Sequence, residues 1–215
     1  RLRCVYQPIV DLTTGKVTAF EALVRWEHPS EGNIPPDEFI PMAEETGLMV
    51  DLGRLILYEA ADALKAFHTV NPEAAVMMNV NVSRRQLMDP GFCPMLRAVL
   101  ADLGPLAGRL RLEITESAVT GSHDKTMAAL TEVKRLGVEV HLDDFGTGLS
   151  SLGLLRELPV DGIKIDRTFM EMAGDDAQSV AIVSAIIALG HNLGKTVIAE
   201  GTSESDQLVT VLALN

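Results

Sequence analysis

Glu21, Asn81, Glu113, Asp143, Asp144 and Glu200 stand at the ends of five strand-like runs: VTAFEALVRW, VMMNVNVS, LRLEITE, VEVHLDDFGTG and TVIAEG. Another run, GIKID, contributes Lys164 and then Asp166 in the same way. Carboxylate and amide oxygens gathered from the ends of successive strands suit hard divalent cations, and a lysine beside them suits a phosphate or a developing oxyanion. The chemistry expected of such a set is metal-assisted phosphoryl chemistry.

Each residue has its own reading. Strand alternation puts Glu21, Leu23 and Arg25 on one face. A glutamate turned to an interior is costly unless paired or ligated. Arg25 offers a fork suited to phosphate, and a Glu21–Arg25 ion pair on a solvated face is the plainer alternative. Asn81 offers an amide oxygen for Mg²⁺ or Ca²⁺, while Ser83 suits the N-cap of a following helix. Glu113 is expected to point inward as a ligand. Glu116 is expected to hold a neighbouring loop by hydrogen bonds, the alternative being an exposed carboxylate at the start of a helix.

Adjacent residues on a regular strand face opposite ways, so Asp143 and Asp144 address one region only through a turn, which Gly146 and Gly148 would permit. Carboxylates forced together need counter-charge. An Asp143 bridging two ions about 3.5–4 Å apart is the geometry of two-metal hydrolases. Lys164 can orient a water or neutralise a phosphate oxygen, and Glu200 can serve as a ligand or as a base through water. His141 reads as a hydrogen-bonded interior histidine, and Met42, Met77, Met78, Met95, Met127 and Met170 as core filling. Chemistry alone leaves Gln7 open.

The elements that must position these groups follow from pattern. Strands are expected over 2–10 and 17–26, joined by six residues, too few for a parallel crossover, so this pair should be antiparallel. A Pro/Gly-rich loop (28–36) and helices over 37–45 and 51–68 come next. Strands over 75–82, 110–115, 138–143, 162–165 and 196–199 then alternate with helices: one ending near 103, and others over 122–136, 150–155, 175–193 and 205–214. Alternation of this kind points to βαβ units and a parallel sheet. That makes seven strands, where a closed barrel normally has eight, so an eighth strand and its helix are expected to be absent from this chain.

A chain of 215 residues with 47% hydrophobic content can bury a core as one domain, 1–215. The net charge of −12 argues against binding a DNA or RNA polymer, though bound cations would reverse the local sign for a small anionic substrate. Cys4 and Cys93 set no disulfide framework and suit a reducing compartment. No apolar stretch reaches the roughly 20 residues needed to span a bilayer. The chain opens on a strand without an initiator Met and is expected to be excised from a longer protein.

Read together, the segments YQPIVDLTTG, EALVRW, FIPMAEETG, NVSRRQL, LEITES, DDFGTGLSSL, KID and AEG resemble the EAL domain, the family of cyclic di-GMP phosphodiesterases. They run in the family's order from Tyr6 to Gly201. The resemblance implies an α/β fold, a modified TIM (β/α)8 barrel with an antiparallel first strand. It implies Mg²⁺- or Mn²⁺-dependent hydrolysis of cyclic di-GMP to linear pGpG with two metal ions per site. Glu21, Asn81, Glu113 and Asp143 would hold one ion, and Asp143, Asp144 and Glu200 the other. Lys164 would position the water with Asp166 in support. The Leu23 backbone and Arg25 would contact phosphates, Gln7 a guanine, and Glu116 would brace the 144–151 loop. A homodimer and fusion to sensory or GGDEF-type domains are also implied; the expected location is cytoplasmic, with membrane tethering of the full-length protein left open. Two departures stand out: Ser203 replaces the second Glu of the usual EGVE, and the C-terminal Gln-Gly segment is missing. The rival reading is a cyclic di-GMP receptor without turnover.

Overall fold

The computed structural model describes residues 1–120, 123–146, 152–173, 177–202 and 212. The chain divides into two compact units, residues 1–113 with 128–139 and residues 114–127 with 140–215.

In the first unit, β1 (Leu2–Val10) and β2 (Val17–His28) form the expected antiparallel hairpin. Its turn is held by Asp11, whose carboxylate accepts from the Thr14 amide and hydroxyl, both at 2.7 Å. Those bonds keep the Asp11 carboxyl below its usual pKa. β2 then runs two residues past Trp26 and pairs with a short β3 (Gly32–Ile34) inside the segment expected to be a loop. Helices α1 (Pro36–Thr46) and α2 (Met49–Val70) follow, then β4 (Met77–Asn81), which lies parallel to β2. The single helix expected before Leu103 is two, α3 (Arg84–Leu87) and α4 (Phe92–Leu103). A 3-10 turn over Gly104–Arg109 then leads to β5 (Leu110–Thr115), parallel to β4.

The core of this unit follows from periodicity. Leu57, Ala60, Ala61 and Leu64 repeat at helical spacing on α2 and are fully buried, as are Met78 and Val80 of β4. Ser83 is the expected N-cap. Its hydroxyl accepts from the Gln86 amide at 3.3 Å, and the Gln86 side chain accepts from the Ser83 amide at 3.1 Å, completing a capping box. A Cβ at Gly53 would lie 1.6 Å from Nε2 of the Gln86 side chain. Gly53 therefore lets α2 close onto the turn that follows Asn81.

In the second unit, a short α5 (Glu116–Thr120) leaves β5. β7 (Gly162–Ile165) lies parallel to both β6 (Glu139–Phe145) and β8 (Thr196–Ala199). All four residues of β7 are buried, as expected for a parallel strand covered on both faces. Helix α6 (His123–Arg135) draws residues from both units. α7 (Leu152–Glu157), α8 (Arg167–Ala173) and α9 (Ala177–Asn192) complete the described elements. α5 and α8 were not expected from sequence. Among the described residues no helix is long and apolar enough to cross a membrane. The helix expected over 205–214 and the departure at Ser203 lie outside the described residues, Leu212 apart.

Both cysteines are half-buried and unpaired with each other. Burial, with the Glu59 carboxylate beside it, pushes the Cys4 thiol up to about 12, and burial also raises Cys93. The thiolate is the nucleophile, so at pH 8 Cys4 should react with a disulfide reagent about a thousandfold more slowly than an ordinary thiol. Stopped-flow thiol titration of a Cys93→Ser variant checks this; a rate within tenfold of free cysteine contradicts it.

Candidate metal and phosphate centre

Strand register in the first unit sets one row of side chains across four strands. Gln7 pairs with Glu21, Glu21 with Asn79, and Asn79 with Arg111. Asn81 and Glu113 form the next row on the same face. The alternation read for β2 holds: Ala22 and Val24 are buried, while Glu21, Leu23 and Arg25 on the other face are half-buried. Glu21 is not at the end of its strand, because β2 continues to His28 to pair with β3. It lies instead near the end of the stretch that pairs with β4, Ala19–Ala22.

The polar groups on this face are mutually bonded. Asn81 Nδ2 donates to Glu21 Oε1 at 2.7 Å. Glu113, fully buried, accepts from Asn79 Nδ2 at 2.7 Å. Arg25 donates to its neighbour's carbonyl, Val24 O, at 2.8 Å rather than to Glu21. Gln7, left open by sequence, is exposed and directly across from Glu21. Asn79 was missed. Its signal is the Asn-Val-Asn alternation, which places two amides, not one, on the same strand face.

In the second unit Lys164 is the organising group. Its ammonium, 1% exposed, donates to Asp143 Oδ2 at 3.2 Å and Glu200 Oε1 at 2.5 Å. A buried charge is tolerated only when paired, and here one cation is shared between two carboxylates. At Asp143 and Asp144 the strand carries an irregularity that the sequence did not reveal. Between β6 and β7 the register advances three residues on one side and two on the other, from Leu142 to Phe145 against Ile163 to Ile165. Asp144 occupies this bulge with φ of 54°, and its amide donates to Asp143 Oδ1 at 2.9 Å. The turn lies at Asp144 itself, not only at the glycines after it.

Glu116 is 2% exposed, which removes the alternative of a solvated carboxylate, and its Oε2 accepts from the Gly146 amide at 3.0 Å. The loop beyond Gly146 lies outside the described residues. Gly146 has φ of 101°, and an added Cβ would sit 2.7 Å from the Phe169 ring. Gly146→Ala should therefore cost about 1–3 kcal/mol of stability, read from a urea melt; an unchanged midpoint contradicts this packing. Asp166 caps α8. Its Oδ1 accepts from the Thr168 amide at 2.9 Å and from the Thr168 hydroxyl. His141 is fully buried beside Gly162, the interior position expected of it.

The donor sets fit a hard cation. Glu21, Asn81 and Glu113 in one unit, and Asp143, Asp144 and Glu200 in the other, supply carboxylate and amide oxygens with no thiolate or imidazole among them. Mg²⁺ and Mn²⁺ select such donors.

The family model for the EAL domain matches residues 1–215. Among curated proteins, the uncharacterized protein y4lL of Sinorhizobium fredii is 44% identical over 208 residues, covering 97% of this chain and 24% of that protein. An uncharacterized signaling protein of Caulobacter vibrioides is 42% identical over 204 residues, 95% of this chain and 25% of that protein. The chain thus spans about a quarter of the length of these relatives. Among solved structures, the PaMucR phosphodiesterase in its c-di-GMP complex matches with a TM-score of 0.93 at 37% identity, covering 100% of this chain and 86% of that one. The fold class is accordingly α/β, the modified TIM (β/α)8 barrel type with an antiparallel first strand pair.

Proposed function

The chain belongs to the EAL domain family, and from that membership we propose that it hydrolyses cyclic di-GMP to linear pGpG with Mg²⁺ or Mn²⁺. The observation that carries this reading is the buried Lys164 ammonium shared by Asp143 and Glu200. Such an arrangement is costly to fold and makes chemical sense beside a phosphate and a water.

By the family resemblance, Glu21, Asn81, Glu113 and Asp143 would hold one cation, and Asp143, Asp144 and Glu200 the second. When bound, the two ions would supply Lewis-acid stabilisation of phosphate charge and lower the pKa of the attacking water. Lys164 orients that water, with Asp166 supporting the turn that follows β7. The Leu23 backbone and Arg25 receive the phosphates, and Gln7, in register with Glu21, receives a guanine. Glu116 holds the start of the loop after β6 through Gly146. The water oxygen bonds to phosphorus, the P–O3′ bond breaks, and a proton ends on O3′, leaving a 5′-phosphate on pGpG. The domain acts as a homodimer in the cytoplasm, within a longer protein carrying sensory or GGDEF-type domains.

Turnover in H₂¹⁸O tests the reaction. One heavy oxygen in the 5′-phosphate of pGpG is expected; absence of pGpG overturns the assignment. Ser203, in place of the family's usual Glu, favours a second reading, a receptor that binds cyclic di-GMP without cleaving it.

A further inference from the structure

Asn79 is fully buried and is joined on both sides. Arg111 Nη1 donates to its Oδ1 at 3.4 Å, and its Nδ2 donates to Glu113 Oε1 at 2.7 Å. Arg111 is fixed in turn by Glu139, whose Oε2 accepts from Nε at 2.9 Å and Nη2 at 2.7 Å. Four side chains thus form one line across β4, β5 and the first residue of β6, within one unit.

The chemistry of the middle member is restrictive. A side chain at position 79 must accept from a guanidinium on one side and donate to a carboxylate on the other. An amide does both, and the guanidinium decides which end of the amide faces which partner. Ala does neither, and Leu would leave the Glu113 oxygen without this donor. The Arg111 side chain is 12% exposed and the Glu139 side chain 43%, so the line runs from the margin of the fold to its interior.

We propose that Asn79, oriented by Arg111, is a positioning residue that fixes the Glu113 carboxylate for cation binding. This rests on the reading of Glu113 as a metal ligand. Groups that hydrogen-bond to a ligand and set its orientation commonly govern metal affinity by about 10–100-fold. Asn79 would therefore act on how tightly the ion is held, with less effect on the rate once the site is filled.

The test is Mn²⁺ titration by calorimetry on the chain, with and without a cyclic di-GMP turnover assay. Asn79→Ala should weaken Mn²⁺ binding about 10–100-fold, while kcat at saturating Mn²⁺ stays within a few fold. Arg111→Met, which leaves the amide in place but unoriented, should weaken it in the same direction and less. The double variant should be no weaker than Asn79→Ala alone, because both changes act through one bond. Equal Mn²⁺ affinity in wild type and in Arg111→Met, or additive losses in the double variant, overturns the proposal while the phosphodiesterase reading stands. Absence of both Mn²⁺ binding and pGpG in the wild type overturns both. Where Asn79→Ala does not fold, Arg111→Met, whose side chain lies nearer the margin, decides the test.

Discussion

Glu21→Gln is expected to lower turnover of cyclic di-GMP about a thousandfold while leaving the chain folded. The substitution keeps the shape of the side chain and a carbonyl oxygen to accept from Asn81 Nδ2, the bond seen at 2.7 Å. What it removes is one negative charge from the face shared with Asn81 and Glu113. Counter-charge supplied by a held cation is worth several kcal/mol in such reactions, and about 4 kcal/mol corresponds to about a thousandfold in rate. Glu21 is half-buried in a strand paired on both sides, so the melting temperature should hardly move. Steady-state kinetics with a thermal melt on the same preparation checks both halves. A loss of less than tenfold at saturating Mn²⁺ contradicts the role assigned to Glu21.

Lys164→Met should affect both activity and stability, in a metal-dependent way. Removing one partner of a buried ion pair typically costs about 3–5 kcal/mol, because the remaining charge is left uncompensated. The Glu200 side chain is 28% exposed and can turn to water, so the lower end applies, about 3 kcal/mol or about 6–12 °C in a chain of this size. Added Mn²⁺ would replace the lost counter-charge near Asp143 and Glu200, so it should raise the melting temperature of the variant more than that of the wild type. Turnover should fall about 10²–10³-fold, the usual loss of a preorganised donor to developing charge. Thermal melts in EDTA and in Mn²⁺ provide the readout. Equal Mn²⁺ shifts in the two proteins would mean that Lys164 and the cation do not share those carboxylates.

Much of this was legible in the chain, for physical reasons that differ by residue. The face of Glu21, Leu23 and Arg25 follows from strand alternation, and Ala22 and Val24 are buried opposite as that requires. Ser83 announces its helix because a hydroxyl followed three residues later by glutamine makes a capping box. The bulge at Asp144 was not legible, since an aspartate at positive φ looks like any other until the register with β7 is seen. Helices α5 and α8, of five and seven residues, are too short for periodicity to reveal. Missing α8 hid the capping role of Asp166, and β3 is three residues between prolines. Asn79 is hard to read from the chain, because position at a strand end singles out only the last polar residue of its run. Its importance depends on Arg111 and Glu113, which no spacing in the chain connects to it.

Chromatography of cyclic di-GMP incubated with the chain and Mn²⁺, with the Glu21→Gln protein as blank, tests the central claim most directly. The expected result is a pGpG peak that grows with time, depends on the metal and forms about a thousandfold more slowly in the blank. Intact cyclic di-GMP held in a stoichiometric complex, with no pGpG at any metal concentration, would contradict hydrolysis and make the domain a receptor.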